Sequence, residues 1–164
     1  LKLRDLTREA DVPLVVNDRI DLTAAIDADG VHLGDDDLPV SVARERLGPD
    51  AIVGRSVSTP EAAREAEQAG ADYLGVGVIY RTTTKDTRES ESEIGLDAVR
   101  AVREATDLPF VGIGGITVKN AGEVVTAGAD GVAVVSAIAA AADDPEAAAR
   151  ELREAVASAE VTTR

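Results

Sequence analysis

Cysteine, methionine and tryptophan are absent from this 164-residue chain, which carries one phenylalanine and two tyrosines. Without cysteine there is neither a disulfide framework nor a thiolate metal site. The single histidine, His32, has no second imidazole to share a zinc ion with, so a zinc site is not expected. His32 also falls inside an apolar run, which reads as interior structure, and no serine–histidine nucleophile–base pair can be assembled around it. No run approaches the ~20 apolar residues of a membrane span, and none reads as a secretory leader. Cations are few: Lys2, Lys85 and Lys119 are the only lysines among 17 basic residues, against 31 acidic ones. A net charge of −14 argues against nucleic acid or an anionic membrane as partner, since both demand a basic surface. The expectation is a cytoplasmic protein acting on small molecules, with a homo-oligomer left open. The acid-rich, lysine-poor surface has a halophilic composition, suited to high salt.

One of the rare lysines closes the most informative stretch. Gly75 to Lys85 begins as a short apolar strand with glycines where backbone or ligand must come close. It then offers Thr82, Thr83, Thr84 and Lys85, three hydroxyls and an ammonium of the kind an anionic oxygen group needs. A polar surface loop is the plainer alternative.

The length fits one domain over residues 1–164 with a core of Val, Ile, Leu and Ala. Apolar strands are expected near 13–16, 31–33, 52–56, 73–77, 110–113 and 132–135. Helices are expected near 3–10, 20–28, 40–47, 60–69, 96–105, 118–127 and 145–158. Thr59-Pro60-Glu61 supplies an N-cap, a proline at the first helical position and an acid in the first turn, and Asp144-Pro145-Glu146 repeats the device. Ala69-Gly70-Ala71-Asp72 and Ala127-Gly128-Ala129-Asp130 each end a helix on glycine and open a strand, with Asp27-Ala28-Asp29-Gly30 as a looser copy. Strands recur at an interval of roughly twenty residues, which favours a (β/α)8 TIM barrel over a doubly wound sheet. The longer interval, from 73 to 110, contains the threonine–lysine loop. Six units are visible, so two more are expected ahead of Leu1, and the 13–16 and 132–135 strands would otherwise be open edges.

Ligands of parallel α/β folds sit at the carboxyl ends of the strands. Those ends carry Asn17 and Asp18, Gly34 with Asp35 to Asp37, Ser56, the Thr82–Lys85 loop, Gly112 to Ile116, and Ser136. Asp18 and one of Asp35 to Asp37 are hard oxygen ligands of the kind Mg²⁺ prefers beside phosphate, although each alone also reads as a cap or a solvated turn. Gly114 and Gly115, ahead of a helix opened by Thr117, offer N–H groups to a phosphate that Ser136 could share.

At these residues the chain resembles the thiamine phosphate synthase family. The matches are Val16-Asn17-Asp18-Arg19, Gly30-Val31-His32-Leu33-Gly34 with Asp37, Gly75-Val76-Gly77 leading to Thr82-Thr83-Thr84-Lys85, Gly112-Ile113-Gly114-Gly115-Ile116, and Gly131 to Ser136 followed by Ala137-Ile138. The resemblance implies a barrel that joins a hydroxymethylpyrimidine diphosphate to a thiazole phosphate and releases diphosphate with Mg²⁺. It implies Asp18 and Asp37 as metal ligands, and Asn17, Ser56 and Lys85 around the pyrimidine diphosphate. It further places Thr82, Thr83, Thr84, Gly115, Val135 and Ser136 around the thiazole phosphate. Lys85 and Ser56 are the candidate catalytic residues. The family's Gln-Leu-Arg-x-Lys segment is absent, Ser58 stands where relatives often have histidine, and Asp35-Asp36-Asp37 replaces a usual Gln-Glu-Asp. A thiazole tautomerase of the same fold and a non-catalytic phosphate-binding barrel are the alternatives. The threonine–lysine loop, together with Ser58 in place of that histidine, favours the synthase over the tautomerase.

Overall fold

A computed structural model describes residues 2–82, 93–141 and 144–162. The elements run α1 (Lys2–Glu9), β1 (Val15–Asn17), α2 (Ile20–Ala25), β2 (Gly30–Leu33), α3 (Val40–Leu47), β3 (Ile52–Val57), α4 (Pro60–Gln68) and β4 (Tyr73–Val76). They continue with α5 (Gly95–Ala105), β5 (Phe110–Ile113), α6 (Ala121–Thr126), β6 (Gly131–Ala133), α7 (Ser136–Ala139) and α8 (Pro145–Thr162). All six strands are parallel and lie in chain order from β1 to β6. A doubly wound sheet would reverse its order at a switch point. This one never does, so right-handed crossovers put every helix on the same side and the sheet curls into a half-barrel. The expected six units are present, and the structure shows a half-barrel rather than a closed eight-stranded ring.

Burial alternates along the strands as the pleat requires. On the helix-covered face Val31, Leu33, Val53, Leu74 and Val76 are fully buried and Phe110 is nearly so. Each such side chain contributes about 1.5–3 kcal/mol of transfer free energy. On the concave face Val15, His32, Ser56, Tyr73 and Val111 remain half-exposed. Beside β1, Leu3, Arg4, Leu14, Val15, Val16, Leu22 and Ile26 line an apolar groove.

The caps form where the sequence places them. Thr59 Oγ accepts from the Ala62 N–H (3.2 Å), and Asp144 Oδ1 from the Ala147 N–H (2.8 Å). Gly70 and Gly128 take φ of 92° and 118°, a region that only glycine enters at no cost. Several boundaries differ from expectation. β1 runs from Val15 to Asn17 and not over 13–16, α2 stops at Ala25 and not at 28, and α8 extends to Thr162. The start of α6 and the end of β6 differ for visible reasons. Asn120 Oδ1 takes the Thr117 N–H (2.7 Å), so residues 117–120 form a turn and α6 starts at Ala121. After β6 the chain turns at once into the short helix α7, so the last strand is shorter than expected.

The rim where strands begin is fastened by three similar clamps. An aspartate immediately precedes each even-numbered strand: Asp29, Asp72 and Asp130. Its Oδ2 accepts an N–H at the start of the preceding odd strand, from Leu14 (2.7 Å), Val53 (2.7 Å) and Phe110 (2.9 Å) respectively. An arginine from the helix before that odd strand grips the same oxygen: Arg4 at 2.6 Å, Arg44 at 2.6 Å and Arg103 at 3.2 Å. These guanidinium groups also serve carbonyls. Arg44 donates to Ala51 O (2.6 Å) and Gly70 O (3.0 Å), and Arg103 to Leu108 O (3.0 Å) and to Thr106 O. Arg103 lies over the Phe110 ring as well, 4.9 Å from its centroid.

Two outcomes follow for stability. Arg44→Ala takes away one partner of the half-exposed Asp72 carboxylate and those of several carbonyls, and is expected to cost about 1–2 kcal/mol in urea unfolding. Arg100→Ala, which removes only the exposed pair with Asp97, should stay within about 0.5 kcal/mol. The Leu14 N–H, followed by Arg4, holds the Asp29 carboxyl below its usual value. Its contribution is therefore complete above the unfolded carboxylate pKa of about 4 and lost as pH falls through the lower folded value. Thermal midpoints of Asp29→Asn measured from pH 7 to 3 should accordingly fall less steeply than those of the parent.

Candidate active site

The opposite rim, where strands end, carries the polar groups. Asn17 closes β1 and is exposed. Asp18 follows at φ 67°, a left-handed turn that aspartate tolerates, and its N–H donates to His32 O (2.8 Å), tying the β1 exit to β2. At the β2 exit, Asp37 Oδ2 accepts the Gly34 N–H (2.7 Å), while Gly34 O accepts from Arg55. Arg55 also holds Asp35 (2.8 Å). Asp35 is thus an ion-pair partner, whereas Asp37 braces its own loop with one oxygen and has a second to offer. The structure therefore sets Asp18 and Asp37 at neighbouring strand ends. Among the described residues, no group of three or more His, Cys, Asp and Glu converges on one point. Two carboxylates completed by phosphate oxygens and water are a donor set that suits Mg²⁺ and would not suit zinc.

Ser56, on the concave face of β3, places its Oγ 2.9 Å from His32 Nε2, so strand register brings together a serine–histidine pair that the sequence analysis did not expect. His32 lies in β2 as interior structure, and its Nδ1 is 3.0 Å from the Tyr73 hydroxyl. Glycines make this packing feasible. A Cβ on Gly54, between His32 and Tyr73 in the sheet, would overlap both rings, and one on Gly75 would come within 3.0 Å of His32 Cε1. Burial pushes the Tyr73 phenol up from its ordinary value.

Beyond β4 and β5 the two chain segments stay paired. Ile79 N–H donates to Ile113 O (3.0 Å), and Tyr80 N–H to Gly114 O (3.1 Å). Gly114 and Gly115 have φ of 100° and 63°, and a Cβ on Gly115 would lie 2.7 Å from both Tyr80 O and Arg81 O. The position expected to meet a phosphate, Gly115, thus lies in a glycine turn and not at a helix start. It lies against the segment that delivers Thr82. Thr83, Thr84 and Lys85 fall outside the described residues. Val135 and Ser136 are exposed after β6, at the entry to α7.

The family model described as Thiamine monophosphate synthase matches residues 1–138. The chain belongs to this family. It is 76% identical over 155 residues to the thiamine-phosphate synthase of Natronomonas pharaonis, covering 94% of this chain and 72% of that protein. The corresponding enzyme of Haloarcula marismortui is 67% identical over 156 residues, covering 94% and 74%. The solved thiamine phosphate pyrophosphorylase of Pyrococcus furiosus superimposes with a TM-score of 0.85 at 45% identity, over 96% of this chain and 73% of that one.

The residues that sequence reasoning missed in this member of the thiamine monophosphate synthase family are Tyr73 and Gly54. The signal was slight: β3 and β4 each carry one interior glycine, and only the strand register sets Gly54 and Gly75 against the one histidine. Gly54→Ala is expected to displace the His32–Tyr73 pair and to lower stability by about 1–3 kcal/mol, as overpacking does. Urea unfolding measures the loss, and near-ultraviolet circular dichroism follows the two tyrosines.

Proposed function

We propose that this chain is a thiamine-phosphate synthase, condensing 4-amino-2-methyl-5-hydroxymethylpyrimidine diphosphate with thiazole phosphate to give thiamine phosphate and diphosphate. What supports the reading is that the described candidate site residues Asn17, Asp18, Asp37, Ser56, Thr82, Gly115, Val135 and Ser136 all fall toward or beyond the finishing ends of the strands, in a chain 76% identical to a thiamine-phosphate synthase. In the reaction the carbon–oxygen bond to diphosphate breaks with its electron pair leaving on diphosphate, and the thiazole nitrogen bonds to the freed methylene carbon. The pyrimidine's amino group can stabilise the cation in between, so no protein nucleophile is needed. Asn17, Ser56 and Lys85 are assigned to the pyrimidine diphosphate. Thr82, Thr83, Thr84, Gly115, Val135 and Ser136 are assigned to the thiazole phosphate. Lys85, an ammonium among hydroxyls, is suited to holding the charge that diphosphate gains. Mg²⁺ held by Asp18 and Asp37 would offset more of that charge.

The finer architecture belongs to the same proposal. Two further βα units would close the six strands into an eight-stranded barrel, and the apolar groove beside β1 is a surface on which such a unit could pack. No helix among the described residues is long and apolar enough to cross a membrane. We place the protein in the cytoplasm, where diffusible phosphorylated substrates are made.

At full natural length, Lys85→Ala should lower kcat roughly a hundredfold or more, the scale of one preorganised charge contact. A raised KM with unchanged kcat would instead assign Lys85 to uniform binding. Asp18→Asn should weaken Mg²⁺ activation, and full turnover in excess chelator would overturn the metal assignment. Ser136→Ala should weaken thiazole phosphate binding about tenfold and leave pyrimidine diphosphate binding unchanged, as titration calorimetry of each substrate would show.

A further inference from the structure

Strand register sets His32 of β2 beside Gly54 of β3, and Gly54 in turn beside Tyr73 of β4. The glycine leaves a gap in the middle strand, and the imidazole and phenol meet across it with ring centroids 5.4 Å apart. Ser56, two residues further along β3, is level with Gly75, whose missing side chain leaves room for the Nε2 edge of the imidazole. The concave face thus holds a continuous chain from Tyr73 through His32 to Ser56, with heavy-atom separations of 3.0 and 2.9 Å.

Only certain proton arrangements satisfy this chain. A neutral imidazole carries one N–H, so one ring nitrogen donates and the other accepts. With the proton on Nδ1, Ser56 would donate to Nε2 and could present only lone pairs to a ligand. Tyr73 would then accept from His32, and its own proton would be left to solvent at the half-exposed phenol. With the proton on Nε2, every group is used: Tyr73 donates to Nδ1, Nε2–H donates to Ser56 Oγ, and the Ser56 proton is directed away from the histidine. Each donor in such a chain also polarises the next.

We propose that Tyr73 and His32 are positioning residues that hold the Ser56 hydroxyl as a donor to an anionic oxygen of the substrate's diphosphate. The proposal rests on the assignment of Ser56 to the pyrimidine diphosphate. The phenol selects the imidazole tautomer, the tautomer occupies a Ser56 lone pair, and Ser56 then meets its ligand as a donor. A phosphate-binding hydroxyl whose proton was spent on histidine would repel the oxygen it is meant to hold.

Two measurements on the protein at full natural length test this. In ¹⁵N-histidine-labelled protein, with the His32 signals identified by their loss in His32→Asn, proton–nitrogen correlations should show the proton on Nε2 and a bare Nδ1. A proton on Nδ1, or on both nitrogens, overturns the proposal without reference to activity. In kinetics, Tyr73→Phe should lower kcat/KM for the pyrimidine diphosphate about tenfold, the effect of weakening one hydrogen bond to a charged group. The same change in a Ser56→Ala background should do nothing further, because Tyr73 acts through Ser56. Equal losses in both backgrounds would mark Tyr73 as an independent structural residue and sink the relay. If Ser56→Ala alone leaves kcat/KM and diphosphate binding intact, the Ser56 assignment itself falls and the relay with it. That outcome is distinct from an intact Ser56 effect with the wrong tautomer.

Discussion

The aspartate that precedes each even strand governs how the layers of this fold meet. One carboxylate oxygen satisfies a backbone N–H at the mouth of the strand before it and, at the same time, an arginine from the helix before that strand. Helix, odd strand and even strand are fixed against one another through one oxygen. Exposed ion pairs add little, but these carboxylates also cap strand starts, and the guanidinium groups of Arg44 and Arg103 take up loop carbonyls that would otherwise lack partners. With the starting rim held in this way, the finishing rim can tolerate the left-handed Asp18, consecutive left-handed glycines and acidic clusters. In parallel α/β architecture those are the positions that touch ligands.

The two faces of the sheet obey different rules. Under the helices, apolar side chains, Val31, Leu33, Val53, Leu74, Val76 and Phe110, supply most of the bulk. On the concave face, bulk is supplied by one histidine and one tyrosine, and glycines on the intervening and adjacent strands accommodate them. Ser56 becomes part of that face through His32 and of the rim through its position near the end of β3. Structure and candidate chemistry therefore share a residue, and a change on the concave face reaches the site without passing through the helix-packed core.

Much of this was legible in the sequence because the relevant signals are local. Apolar runs, the Thr59 and Asp144 caps and the Gly70 and Gly128 turns depend on neighbours a few residues away, and all were found. The repeated Ala-Gly-Ala-Asp was visible too, though its purpose was not: the arginine partners lie in preceding helices and only the folded chain brings them in. His32 was read as interior structure, which it is. Its contacts depend on the register between three strands, and a single sequence does not encode that as a pattern. The start of α6 was misplaced because Asn120 competes for the backbone N–H of Thr117, a side-chain contact that helical propensity does not reveal.

The clamps also bear on how the chain assembles. Their ion pairs join residues 25, 28 and 27 apart in sequence, a nearly constant span. Each closes inside its own helix–strand–helix–strand segment and needs nothing from the rest of the sheet. Parallel sheets ordinarily fold slowly, since their pairings wait on distant chain. Here the fastening contacts are short-range, so each segment can be secured as soon as it leaves the ribosome, before the next has been made.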